Sequence, residues 1–252
     1  MTRTLSRLLV VLGLLLGWVP IASAQSADDI VERHLTAIGG RDALVKLKSR
    51  SMAGTITLST PGGDISGPVE TLTESPNKSR TFMKLDASGL GAGVITIDQR
   101  FNGTSGYVMD SLQGNRELTG DLLENARNAA FPNPFLNYKD VGATLELAGK
   151  EKVGDREAYL LILKPKNGVV YRQYIDAQSY LALRLVVKLN VPQFGELEQT
   201  TELLDQRDVD GVKVPFQLKS SSAVQQMTIV ITKVEHNVQV DEALFSRPAA
   251  NR

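Results

Sequence analysis

Residues 183–189 read Leu183-Arg184-Leu185-Val186-Val187-Lys188-Leu189. Successive side chains of an extended chain point to opposite faces. Leu183, Leu185, Val187 and Leu189 therefore share one side, and Arg184 and Lys188 share the other. The same period of two runs through Val212-Lys213-Val214-Pro215-Phe216-Gln217-Leu218, where the apolar set opposes Lys213, Pro215 and Gln217. Met83 and Leu85 likewise oppose Arg80 and Lys84. One dry face and one wet face is the pattern of an antiparallel sheet. A long sheet with an apolar face must curl, close on itself or be covered.

Outward from these stretches, alternating segments recur at 52–59, 69–74, 80–86, 94–101, 107–111, 143–147, 158–164, 169–175, 196–204 and 227–234. Turn residues separate them: Pro61-Gly62-Gly63, Ser75-Pro76-Asn77, Asn102-Gly103, Lys166-Asn167-Gly168 and Asp210-Gly211. This predicts a mainly β protein with a few helices. About eleven strands, twelve at most, form an antiparallel meander over 50–235. The helices are few. An N-terminal pair is expected over 27–48, capped by Ser26 or Asp28 and divided at Gly39-Gly40. An inserted helix is expected over 120–131, closed by Pro132 and Pro134.

The first 24 residues have a different character. Arg3 and Arg7 precede an apolar run from Leu8 to Val19, and Ala22-Ser23-Ala24 follows. That is the order of a secretory signal peptide, and the run is short for a membrane span of about 20 residues. The expected mature chain, 25–252, is a single exported domain, soluble and periplasmic after cleavage near Ala24. Lys and Arg together number 28, as do Asp and Glu, and the sequence holds no cysteine. The charge balance gives no reason to bind nucleic acid. The missing thiol excludes disulfides, cysteine nucleophiles, cysteine metal sites and a lipid anchor on cysteine.

Several motifs have plain readings. Gly89, Gly91 and Gly93 precede a strand, whereas a dinucleotide fingerprint follows a strand and opens a helix. Gly103-Thr104-Ser105-Gly106 falls one residue short of a nucleophile elbow and lies between two strands. Asp205, Asp208 and Asp210 lack calcium-loop spacing, so Asp210-Gly211 reads as a hairpin turn. His34 and His236 belong to no motif and read as structural. No catalytic residue, metal ligand or cofactor is assigned.

The order of pieces then carries a resemblance. It runs from A-I-G-G-R-D-A-L in the first helix and M-A-G-T-I-T-L, through E-S-P-N-K, F-N-G-T-S-G-Y-V-M-D and the helix ending A-A-F-P, to L-A-G-K-E-K-V-G-D-R-E-A-Y-L-L, Y-I-D-A-Q-S-Y-L-A-L-R, D-V-D-G-V-K-V-P-F and D-E-A-L-F. Over roughly residues 27–247 this resembles the outer-membrane lipoprotein-sorting group of the LolA/LolB-like superfamily. The resemblance implies a curved antiparallel half-barrel with helices over its concave face. It further implies a non-enzymatic carrier or binder of lipid or lipoprotein acyl chains, passing cargo between an inner-membrane donor and an outer-membrane acceptor. The present chain is longer than the best-known carriers and has the added helix pair, so no family residue is transferred to it.

The alternation itself nominates the lining of such a cavity: Met83, Leu85, Ile95, Ile97, Tyr107, Met109, Leu183, Leu185, Val187, Phe216 and Leu218. Leu122, Leu123 and Ala126 on the inserted helix would form a lid, which with loop 88–93 would open to admit a chain. The expected protein is a monomer. Two alternatives stay open: an envelope sensor or interaction module on the same scaffold, and a serine hydrolase using Ser105.

Overall fold

The computed structural model describes residues 25–60, 62–191 and 195–247, so the expected signal peptide, residues 1–24, lies outside the described residues. The strands are β1 (Ser49–Thr60), β2 (Gly63–Glu74), β3 (Lys78–Ala87), β4 (Gly93–Phe101), β5 (Gly106–Asp110), β6 (Arg116–Glu117), β7 (Thr144–Val153), β8 (Arg156–Lys164), β9 (Tyr171–Asp176), β10 (Ala182–Val191), β11 (Gly195–Val209), β12 (Val212–Ser221) and β13 (Gln226–His236). The helices are α1 (Ala27–Ala37), α2 (Arg41–Leu44) and α3 (Gly120–Asn128).

All thirteen strands pair into one antiparallel sheet in the order β6-β5-β4-β3-β2-β1-β13-β12-β11-β10-β9-β8-β7. Two meanders, β1 to β6 and β7 to β13, are joined at the middle by the β1–β13 ladder. The sheet stays open, with β6 and β7 as its edges. The chain must therefore travel from one edge to the other, and α3 lies on that crossover. The expected mainly β, antiparallel half-barrel is found, with two more strands than the eleven counted and one beyond the upper figure of twelve. The added strand is β6, whose two charged residues show no apolar period and become a strand by pairing with Tyr107 and Val108.

α1 begins as its sequence dictates. The Ser26 hydroxyl accepts from the Asp29 amide at 3.1 Å, and the Asp29 carboxylate accepts from the Ser26 amide at 3.0 Å. This reciprocal cap satisfies two donors that a helix start otherwise leaves open. Ile30, Val31, His34 and Leu35 form its buried stripe, packed with Leu161, Leu163 and Ile175 of the sheet and with Phe135. Each fully buried aliphatic side chain there contributes about 1.5–3 kcal/mol. His34 is held neutral: burial lowers its pKa against the opposing contact of Nδ1 with the Tyr180 carbonyl at 2.8 Å.

Two helix ends differ from expectation. The second helix was expected to reach Lys48 and stops at Leu44. Its continuation is drawn toward the sheet, where the Lys48 amide donates to Asn237 Oδ1 at 2.7 Å. The inserted helix ends at Asn128, not 131. The residue before a proline disfavours helical backbone, and Phe131 precedes Pro132. Among the described residues no helix is long and apolar enough to cross a membrane.

Candidate functional site

Directly paired residues share a face of a sheet, so the register can be read as rows across β13, β1, β2, β3 and β4. One row is Ile231, Gly54, Val69, Met83 and Ile97. The next holds Ile229, Ile56 and Gly67, with the Leu85–Ile95 pair alongside, and a further row holds Met227, Leu58 and Ile65. These residues form a continuous apolar strip. Ile56, Val69, Leu85, Ala87 and Ile95 are buried in it, while Leu58, Ile65, Met83, Ile97, Met227 and Ile229 are only partly buried. Every member of this cluster lies on a strand.

In the opposite direction along the same strands the face turns polar. The row beside Gly54 contains Val234, Met52, Thr71, Thr81 and Gln99, and the row beyond contains His236, Arg50, Thr73 and Ser79 and ends at the buried Phe101 on β4. β1 pairs with β2 from Ser49 to Thr60 with no shift. Arg50, Met52, Gly54, Ile56 and Leu58 consequently point to one side, a cation at one end and aliphatic groups at the other.

α3 borders this strip. Leu122, Leu123 and Ala126 pack with Phe101, Val108, Leu118 and Ile97. The other side of the helix meets the second meander. Asn125 accepts from the Tyr171 hydroxyl at 2.5 Å, Asn128 donates to the Asn167 carbonyl at 2.9 Å, and Asp121 accepts from the Asn190 amide at 3.1 Å. Back toward the first meander, Arg127 donates to the Thr104 carbonyl at 3.1 Å, and the Arg127 carbonyl accepts from Asn77 at 3.0 Å. The helix thus straps two arms of the sheet together with few side chains, and only Ala126 of its residues is buried.

The expected lining residues divide among these groups. Met83, Leu85, Ile95 and Ile97 come together in the strip, and Ile97 also meets Leu122, Leu123 and Ala126. Leu185 and Val187 pack with Val169, Leu189 and Tyr171 on the second arm. Phe216 joins Val214, Ile231 and Met52. Leu218 pairs with Ile229. Leu183 sits at the register shift between Ala182 and Arg184. Tyr107 and Met109 alternate with Val108, and Val108 is the residue that faces α3. Tyr107 instead lies beneath the Arg247 guanidinium, 4.7 Å from the ring centre. Residues 106–109 are apolar at both parities, so the period alone does not choose between them.

The smaller motifs fall in turns. Residues 88–92 connect β3 to β4, and Asp210-Gly211 connects β11 to β12. Ser105 is an exposed turn residue whose hydroxyl donates to Asn102 Oδ1 at 3.3 Å. Sequence reasoning passed over Arg50. It is largely enclosed, and burial lowers its pKa to about 10. Its Nε donates to His236 Nε2 at 3.0 Å, and His236 Nδ1 lies 3.3 Å from Asp210 Oδ2. Burial, and secondarily Arg50, lowers the His236 pKa against the pull of Asp210. The ring is accordingly neutral, with Nδ1–H toward Asp210 and Nε2 accepting from Arg50.

This arrangement of one open curved sheet, strapped by a crossover helix, matches solved structures. A LolA superfamily protein from Nitrosomonas europaea superposes with a TM-score of 0.57 at 14% identity, covering 89% of this chain and 99% of that one. The chain shares the fold of that protein. An outer membrane lipoprotein-sorting protein domain from Vibrio parahaemolyticus gives 0.56 at 8% identity, over 87% and 95% of the two chains. A DUF1329 family protein from Desulfovibrio piger gives 0.56 at 13%, over 88% and 98%. No protein-family model matches the sequence, and no curated protein matches it. At these identities the likeness to the LolA fold is one of architecture, and the side chains must be argued from this chain alone.

Proposed function

We propose that this protein is an exported, non-enzymatic carrier or binder that holds a lipid or lipoprotein acyl chain against the apolar strip, with α3 as its movable strap. The observation that carries the proposal is the strip itself: eleven apolar residues, all on strands, six of them only partly buried. A surface of this kind gains by accepting a hydrocarbon, at about 0.8 kcal/mol for each methylene taken from water. Met83, Leu85, Ile95 and Ile97 are its contact residues, and Leu122, Leu123 and Ala126 are the strap's. Leu183, Leu185, Val187, Phe216 and Leu218 extend the apolar lining from the second arm. The methionines Met83 and Met227 suit guests of varied shape.

The signal-like first 24 residues and the fold shared with a lipoprotein-sorting domain support a periplasmic setting. A membrane-bound donor and acceptor would load and unload the chain, and the carrier between them is a monomer. The test is native mass spectrometry on protein recovered from its exporting host without detergent, with titration of a fluorescent fatty-acid probe. The proposal expects a co-purified lipid mass and saturable probe binding. A ligand-free mass together with no probe binding contradicts it.

The interaction-module alternative has one observation in its favour, the open edges at β6 and β7. A free strand edge can pair with an added strand, although Lys150, Glu151 and Lys152 on β7 discourage that.

A further inference from the structure

Arg50 lines a cavity of about 150 Å³ between the helix pair and the sheet. His34, Asn133, Gln173, Gln206 and Lys213 also line it, and Ile38, Leu44 and Leu203 are among its apolar walls. The guanidinium is packed 5.1 Å from the Phe131 ring centre and bonded through Nε to His236. It enters none of the ion pairs among the described residues. Burying a cation without a counter-charge is costly. Arg50 is nonetheless held in place by the His236–Asp210 relay, which fixes Nε, while neither terminal nitrogen donates a hydrogen bond among the described residues. Five N–H donors in a planar fork suit a carboxylate or phosphate. Lys213 adds a second positive charge, and Asn133, Gln173 and Gln206 offer amide donors.

We infer that this cavity binds the anionic end of a single-chain amphiphile, with Arg50 pairing the head group and the tail running along β1 toward the strip. The inference rests on the carrier proposal and adds to it the chemical class of the ligand. Residues 50, 52, 54, 56 and 58 share one face, so the head site and the last strip residue are eight positions, or about 26 Å, apart. The rows between them pass from Arg50, Thr73 and Ser79 to Gly54, Val69 and Met83. A fatty acid has that same polarity from end to end.

The test compares dodecanoate, below its micelle concentration, with dodecanol, below its solubility limit, at pH 8 by calorimetry, with acetate and inorganic phosphate as separate competitors. Wild-type protein is expected to bind the acid at least tenfold more tightly than the alcohol. Arg50→Gln should abolish the preference for the acid over the alcohol. Arg50→Lys should keep part of the preference. Equal wild-type affinity for acid and alcohol overturns the head site and leaves the carrier proposal standing. No binding of either removes both. Binding of acetate or phosphate as tight as that of dodecanoate overturns the amphiphile in favour of a free oxyanion. Should the Arg50 variants fail to fold, carboxyl-13C dodecanoate bound to wild-type protein decides. Its carboxyl is expected to stay ionised below the pH at which the free acid protonates, and an unshifted titration contradicts the pairing.

Discussion

The Tyr171 hydroxyl on β9 donates to Asn125 Oδ1 on α3 at 2.5 Å, the bond by which the far arm of the sheet holds the crossover helix. Burial raises the Tyr171 pKa to about 12, outweighing the contact with Asn128, so the hydroxyl stays a donor well past its ordinary range. A raised folded-state pKa contributes stability that is complete below the unfolded value near 10 and lost as pH climbs toward 12. Tyr171→Phe should cost about 1 kcal/mol in urea denaturation. It should flatten the alkaline loss of stability and speed exchange of a bound acyl probe in stopped-flow. A variant that is destabilised yet exchanges at the wild-type rate would separate this bond from the strap's movement.

Strap movement has a direct test because the chain has no cysteine of its own. Asn128 and Asn167 already meet through a 2.9 Å hydrogen bond. Cysteines placed at both positions and joined by a short bismaleimide should slow acyl-probe exchange at least tenfold, while the unlinked double variant, which lacks that strap bond, exchanges at least as fast as wild type. Equal rates in linked and unlinked protein would show that chains enter without lifting α3.

Asp98 sits on the opposite face of β4 from Ile97, only 5% exposed. It accepts from Arg80 at 2.9 and 2.8 Å and from Arg100 at 2.8 and 3.2 Å. Burial alone would raise its pKa, but the Arg80 and Arg100 hydrogen bonds outweigh that and lower it. The stability this provides is present above the unfolded pKa near 3.9 and is lost as pH falls through the lower folded value. Asp98→Asn should cost about 2–3 kcal/mol at pH 7, with the gap to wild type closing in acid. Thermal melts from pH 7 to pH 2.5 measure both. A gap that persists unchanged in acid would mean that charge is not its origin.

Gly67 occupies the strip where β2 crosses closest to β3. A Cβ there would fall 1.9 Å from the Lys84 carbonyl oxygen, so backbone must shift to admit even alanine. Gly67→Ala should destabilise by about 1–3 kcal/mol and weaken acyl-probe binding by distorting the rows beside Ile56 and Leu85. Gly89→Ala meets nothing within 4 Å and serves as the neutral control. Denaturation midpoints and probe titration compare the two, and a Gly67 variant indistinguishable from the control would remove the close approach from the account.

Much of this architecture is legible in local pattern. The alternation at 183–189 and 212–218 identifies strands because each has one wet and one dry side. Where that contrast fails, sequence reading fails with it. Gly106-Tyr107-Val108-Met109 is apolar throughout, and only the packing of Leu118 and α3 on Val108 selects its inward parity. Arg116-Glu117 has no dry side and is a strand solely through its neighbour. The Val45–Lys48 segment has helix-forming residues, yet the pull of Asn237 on the Lys48 amide is made 189 positions away. Arg50 escaped for the same reason. Its partners His236 and Asp210 are far along the chain, and nothing near residue 50 signals that a charged side chain will turn inward.

The most direct test of the central claim is paramagnetic broadening of methyl NMR signals by a chain-labelled doxyl-stearate. The protein carries 13C-methyl Ile, Leu and Met. The account predicts that Leu58, Met83, Ile97, Met227 and Ile229 broaden together at one equivalent of ligand, while Leu161 and Ile175 under α1 stay sharp. Broadening centred on the α1 cluster, or spread evenly over exposed methyls, would contradict it.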